Sequence, residues 1–443
     1  MERSSAPLRE PLLAAPAAAP PPRLLSPLLC CAWLVYGTLY ASVLMIASFF
    51  PTSPSAASLS PVTVGAIFAA FPLATFLATP LPPLVLGRLG TRATVGAGLV
   101  LGSASTLCFG AVPWLRLPPA SRALAFLLCR ALAGVGSALA EAACLAAIST
   151  HYAGASVATA LATLEVVAGV GATAGSALGG ALYAAGAATP LGPFATPFAC
   201  SAALQLAPVP LLVLLLPPRS AAAAAAAKAP DAAMPSLSAL MDRSRVVLAA
   251  SVVATAAVAE ALNPLMAPHL RRRFHWDAAE AGLYFAVICA AYMLAALPVG
   301  RLADRVIASG HGARRLKLML AGGWVLSGSA HMVVGPAAAL APHWLGGILT
   351  VAAAPLLGLS AAALIVPSLP ALEAGIEGDE EINRVASLWN GLYSLGSAAG
   401  PLASSALHSV VGFAWTCAVL MLVGASAALV VSHAARPHGF VAT

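Results

Sequence analysis

The sequence predicts an all-α membrane protein whose twelve spans form two six-helix bundles. Three observations carry that expectation: the scarcity of charge, the spacing of the apolar runs, and the uneven distribution of lysine and arginine between alternate connections. Apolar residues fill 60% of the 443 positions, and Asp, Glu, Lys and Arg only 8%, against about 25% charge in an ordinary soluble domain. So little charge cannot coat a water-facing surface, which excludes a soluble enzyme, a secreted disulfide scaffold and a nucleic-acid binder. The net charge of +7 is scattered over short segments rather than gathered on one basic face.

A crossing helix needs about 20 apolar residues. Runs broken by Pro, Gly or charge give spans at 28–50, 62–86, 93–113, 122–150, 157–187 and 194–216, then 246–270, 278–299, 316–338, 344–368, 385–409 and 411–433. The interruption, 217–245, opens on Pro217-Pro218-Arg219 and holds seven consecutive alanines, too short and too small to cross a membrane. The expected organisation is a cytosolic tail (1–27), an N-terminal bundle (28–216), a central cytosolic loop (217–245), a C-terminal bundle (246–433) and a cytosolic tail (434–443). The first tail is rich in Pro and Ala and has no apolar stretch ending at a small-residue cleavage site, so it reads as disordered rather than as a signal peptide. With the N-terminus in the cytosol, sixteen Lys and Arg fall inside and five outside (Arg116, Arg122 and the triplet Arg271–Arg273), as the positive-inside rule asks. All eight cysteines lie in apolar runs without metal-ligand spacing. Neither a cofactor nor a metal is expected.

Six plus six with a polar centre suggests a carrier built from two related halves. Between spans 8 and 9 stands Gly300-Arg301-Leu302-Ala303-Asp304-Arg305; its glycine permits a tight exit and its aspartate a cap for the next turn. After span 2 the corresponding stretch runs from Pro83 to Arg92, where Arg88, Gly90 and Arg92 fit and Gly87 occupies the place of the acid. Span 4 carries Arg130, Gly134 and Gly136 in the order R-x-x-x-G-x-G. Span 5 carries Gly171, Gly175, Ser176, Gly179 and Gly180, and span 11 repeats this loosely at Gly396, Gly400 and Pro401. Small residues four apart let helix backbones approach closely, so packing is a sufficient role for these glycines. Together the four elements resemble the major facilitator superfamily over residues 28–433. Phe49-Phe50-Pro51, Gly65 to Phe68, the stretch from Ala158 to Glu165, and Glu260 with Asn263-Pro264 and Pro268 are similar to the vesicular amine transporters, nearest the polyamine-associated branch. The resemblance implies alternating access, with spans 1, 4, 7 and 10 around a central cavity. It also implies a small-molecule cationic substrate exchanged for protons, no nucleic-acid partner, a monomer in the bilayer, and a vesicular or vacuolar membrane. Span 1 lacks the acid that the monoamine members carry.

Four charged residues lie deep in spans: Arg130, Glu141, Glu165 and Glu260. Such residues cost at least about 2.5–3.5 kcal/mol at the bilayer centre and so face protein or a watery cavity. At about 1.5 Å per residue, Glu141 lies about 14 Å and Glu165 about 12 Å from the cytosolic end of their spans, and Glu260 about 21 Å. Arg130 stands three turns before Glu141, near the midplane. Low dielectric raises a carboxyl pKa and a guanidinium lowers it, which suits a carboxylate that holds either a proton or an ammonium group. Each residue also has a plainer reading: Arg130 ties spans 4 and 5 together through Glu165, and Glu141 meets water in the vestibule. Asn263 shares a face with Glu260. Trp389, Asn390 and Tyr393 on span 11, and Tyr36 and Tyr40 on span 1, offer aromatic walls for an ammonium group or ordinary packing, and His331 reads as a satisfied packing residue. His151, His269 and His275 have no nucleophile beside them and no phosphate loop is present, so neither hydrolysis nor ATP-driven pumping is expected. The rivals to an amine exchanger are a multidrug or other organic-solute facilitator with different coupling, and a transporter-like receptor or scaffold that moves no solute.

Overall fold

The structure, a computed structural model, describes residues 26–152, 155–215, 242–309, 312–376 and 379–435. The expected tails, except for residues 26–27 and 434–435, and positions 217–241 of the central loop lie outside the described residues. Every regular element among those described is helical. Among the described residues nine helices are long and apolar enough to cross a membrane, and the pair Pro61–Leu77 and Leu81–Leu89, bent by 59°, makes a tenth crossing. The 51 residues Arg384–Ala434 would extend about 77 Å as one rod, far beyond the hydrocarbon core. They reverse at Gly412, whose φ of 79° suits only glycine, and so supply spans 11 and 12. Span 7 is a helix Arg243–Glu260 followed by a second, Met266–Phe274. Among the described residues the total is twelve passes, six in each half, with the first and last described residues on one side of the membrane. That side is called the terminus side here, and the opposite one the far side.

Several elements differ from the expected runs. Span 2 is not one rod: Pro80, Pro82 and Pro83 withhold backbone donors and the chain turns before restarting at Leu81. Span 7 is broken over 261–265, where Asn263-Pro264 interrupts the ladder. Spans 11 and 12 are joined by Gly412 alone rather than by a loop. Helix starts follow ordinary capping chemistry: the Ser26 and Ser60 hydroxyls accept from Leu29 N and Thr63 N, and Asp277 with Glu280 forms a capping box at the start of span 8.

Glycine sets the spacing of the helices. A Cβ at Gly171 or Gly175 would strike the backbone of Gly37 or Ala41 on span 1, and one at Gly179 would strike Met45. Gly180 faces the backbone of Ala278 at the start of span 8, and Gly65 on span 2 faces the carbonyl of Pro401 and the side chain of Ser405 on span 11. These last two contacts join the halves. Gly400 seats span 11 against Ala257 of span 7.

Apolar packing is distributed unevenly across the membrane. On the far side one core runs through both halves, joining Phe49, Phe50, Phe109, Phe126, Phe194 and Phe198 to Leu262, Leu265, Met266, Leu270, Tyr284 and Phe413. The rings of Phe109 and Phe126 lie 4.5 Å apart, and Phe50 lies 5.2 Å from each. Arg271 Nη1 donates to the Thr52 carbonyl across the halves at 2.7 Å. On the terminus side each half has its own core, one around Tyr36, Leu99, Ile148 and Tyr152 and the other around Leu248, Trp324 and Leu372. On that side no shared apolar core joins the halves.

Candidate functional site

The deep charged residues lie within electrostatic reach of one another or of shared tyrosines where the halves meet. The Tyr40 hydroxyl on span 1 lies within electrostatic reach of Glu141, Glu165, Tyr292 and Tyr393, and Tyr393 on span 11 within reach of Glu260, Tyr292 and Glu165. The group therefore spans both halves. The side chain of Glu165 is exposed although its helix lies at membrane depth, and Asn390 is exposed likewise.

Two carboxylate subsites are distinct. On the N-terminal half, Glu141 accepts a hydrogen bond from Ser137 Oγ one turn earlier and lies within electrostatic reach of Glu165 on the next span. Their similar depth follows from two antiparallel helices meeting on the terminus side. On the C-terminal half, Glu260 is the last residue of its helix and accepts from Asn263 Nδ2. The break after Glu260 leaves Asn263 free to fold back, and Ser404 Oγ of span 11 donates to the freed Ala261 carbonyl at 2.6 Å.

Arg130 is 8% exposed, and its Cζ lies 4.8 Å from the centre of the Phe71 ring. Its electrostatic partner is Glu260 of the other half. Of the two readings the sequence leaves open, this favours the placement opposite Glu260 over a tie from span 4 to span 5 through Glu165: Arg130 sits near the level of Glu260, well away from the terminus-side depth of Glu165. No ion pair of Arg130 within 4.0 Å occurs among the described residues, so the pairing is long-range and leaves room between the groups.

The aromatic candidates form two stacks. Tyr36 and Tyr40 lie 6.1 Å apart and nearly parallel, and Trp389 and Tyr393 lie 5.3 Å apart. Trp389 Nε1 donates to Ser368 Oγ at 2.8 Å, which fixes its ring. Sequence reasoning missed Ser137, Phe71 and Tyr292. A polar ring such as Tyr292 inside an apolar run was the available signal, whereas Phe71 carries none.

The loop motifs lie at the terminus-side ends, away from this group. Span 8 runs unbroken from Ala278 to Ala308, so Asp304 is inside the helix with an exposed side chain and caps no turn, contrary to expectation. Gly300 meets only Val366, at 3.8 Å, and makes no tight exit; Arg305 is exposed. In the first half, Gly90 with φ 81° makes the sharp exit between the exposed Arg88 and the half-buried Arg92. His331 is only half satisfied: Nδ1 lies 2.8 Å from the Ser327 carbonyl while Nε2 has no partner. No cluster of three metal-ligating side chains occurs among the described residues.

A family model described as Major Facilitator Superfamily matches residues 32–259 and 248–439. The MFS-type transporter SLC18B1 of Rattus norvegicus is 25% identical over 385 residues, which make up 85% of this chain and 79% of that relative. Its Homo sapiens counterpart is 26% identical over 385 residues, 85% of this chain and 78% of that protein. Among solved structures, a bacterial homologue of the human lysosomal transporter Spinster, inward-facing and occupied, is similar with a TM-score of 0.71 at 15% identity, covering 92% of this chain and 94% of that one. The nucleoside transporter NupG is similar with a TM-score of 0.67 at 14% identity, covering 92% and 97%. At such identities the solved structures speak for the fold alone.

Proposed function

Because the chain belongs to the major facilitator superfamily of transporters, we propose that its two halves rock about the central cavity to exchange protons for an organic cation, an amine or a polyamine. The observation that carries this reading is Glu260. It sits at a helix break, holds Asn263, and interacts with Arg130 of the other half without an ion pair within 4.0 Å. A carboxylate so placed has two ways to be neutralised, a proton or an ammonium group, and competition between them is exchange. Arg130 keeps the occupied state from being too stable, since its positive charge repels a bound cation. Glu141 and Glu165 form a second acidic subsite nearer the terminus side, and the Tyr36–Tyr40 and Trp389–Tyr393 stacks offer ring faces to a positively charged group. The excess of Lys and Arg on the terminus side supports a cytosolic location for both ends, and the cavity then opens to the cytosol. The resemblance to vesicular amine carriers supports an acidic organelle on the far side.

The test is uptake by the purified protein in liposomes under an imposed pH gradient, with labelled spermidine, a monoamine and an uncharged nucleoside in parallel. Amine uptake is expected to depend on the gradient and to fall at least tenfold in Glu260→Gln, with Glu165→Gln also impaired. Undiminished gradient-driven uptake in both variants refutes the coupling role. Uptake of the nucleoside in preference to the amines refutes the cationic substrate.

A further inference from the structure

Beside Arg130 is a nook between spans 1, 3, 4 and 6, lined in part by Ser42, Ser105, Thr106, Cys129 and Phe198, with about 10 Å³ open to the centre of a water-sized sphere. Arg130 Nε is buried there and has no hydrogen-bond partner. A guanidinium N–H shut away from water with nothing to receive it is costly, and the space beside it matches a single water in size.

The hydrogen-bonding state of the lining decides what fills the nook. Ser105 Oγ donates to the Leu101 carbonyl at 2.6 Å, and Thr106 Oγ1 donates to the Gly102 carbonyl at 2.8 Å. Thr106 Oγ1 also accepts from Gln205 Nε2 at 3.4 Å. Their protons are therefore committed to the helix backbone, and each oxygen keeps acceptor capacity for a further donor. An anion would face those lone pairs and be repelled, and a metal ion would be opposed by the guanidinium. A water molecule suits every group present. It could accept from Arg130 Nε and the Ser42 hydroxyl and donate to Ser105 and Thr106, a full set of four hydrogen bonds.

We propose that one water occupies this nook and ties Arg130 to span 3, so that Ser105 and Thr106 act as positioning residues that aim the rest of the guanidinium at Glu260. The proposal rests on the exchange reading above for its functional consequence, though not for the water itself. Thr106 sits one hydrogen bond from Gln205 of span 6, so the tether anchors Arg130 to the rigid interior of the N-terminal half while Glu260 moves with the other half.

Two measurements test it on the full chain. The first is a map of the purified protein at a resolution that shows ordered waters elsewhere. A single peak within hydrogen-bonding distance of Arg130 Nε, Ser105 Oγ and Thr106 Oγ1 is expected. An empty nook, a side chain filling it, or an ion that survives exchange into chloride-free buffer overturns the proposal. The second is gradient-driven spermidine uptake by Thr106→Val and Ser105→Ala, which preserve shape closely and remove acceptors. About a tenfold loss is expected in the double variant, with its dependence on internal pH displaced and with Thr106→Ser close to wild type. An unchanged pH profile in the double variant overturns the positioning role even if the rate falls. Should the water be seen while Glu260→Gln transports normally, the exchange reading fails and the water stands.

Discussion

On the far side of the membrane the two halves share one apolar core, and on the terminus side each half keeps a core to itself. The aromatic cluster from Phe49 to Phe198 continues into Leu265, Met266 and Phe413 of the other half, whereas the groups around Tyr152 and Trp324 never merge. The seal holds without an interhalf ion pair among the described residues. It consists of ring packing, close backbone contact at glycines, and the hydrogen bond from Arg271 to Thr52. Such a seal is suited to reversal: apolar contacts carry no desolvation penalty of the kind that makes a buried charge pair hard to re-form. The triplet Arg271–Arg273, which runs against the charge bias of the other connections, has structural employment here. Arg271 bridges the halves, and Arg273 Nη2 donates to the Ala338 carbonyl at 2.6 Å.

Perturbing the seal tests this contrast. The largest effect is expected for Phe50→Ala, which empties the middle of the ring cluster from a fully buried position. Truncations of this kind cost about 3–5 kcal/mol, so thermal unfolding in detergent falls steeply, and a small change denies that the cluster is the keystone of the far side. Next comes Gly180→Val, which forces span 5 away from Ala278 at a cost of about 1–3 kcal/mol. A cysteine placed at Thr52 is expected to react about five- to a hundredfold faster with a membrane-impermeant thiol reagent in this background, and an unchanged rate would mean the seal does not depend on that approach. Smallest is Arg271→Gln, which removes one exposed hydrogen bond worth about 0.5–1.5 kcal/mol. In the same assay, with the reporter cysteine at Ser55 so that the Thr52 carbonyl is untouched, a rise of about two- to tenfold is expected, and none at all would reduce the bond to an incidental contact.

The sequence made the number of passes and the division into halves readable, because both follow from apolar length and from where charge is tolerated. It also placed Glu141 and Glu165 at one depth and Arg130 near Glu260, since depth along a helix is simple counting. Curvature and partnership were out of reach. The bend after Leu77 and the break after Glu260 arise at prolines visible in the chain, yet an apolar run looks the same straight or bent until its neighbours are known. Arg130 had Glu165 and Glu260 as competing partners, and the choice depends on how two halves, distant in sequence, meet. Asp304 was misplaced for a related reason: a motif read as a turn lies within a helix that tertiary packing extends to Ala308. The nook beside Arg130 depends on residues from four spans and leaves no periodic trace.

The interruption of span 7 carries one more consequence. Glu260 terminates the first of its two rods, and Arg271 rides on the second, only a few unwound residues away. The proposed cargo site and the latch on the opposite side are therefore two arms of one elbow, so relief or tension at the crook would reach the latch without having to travel through the body of either bundle.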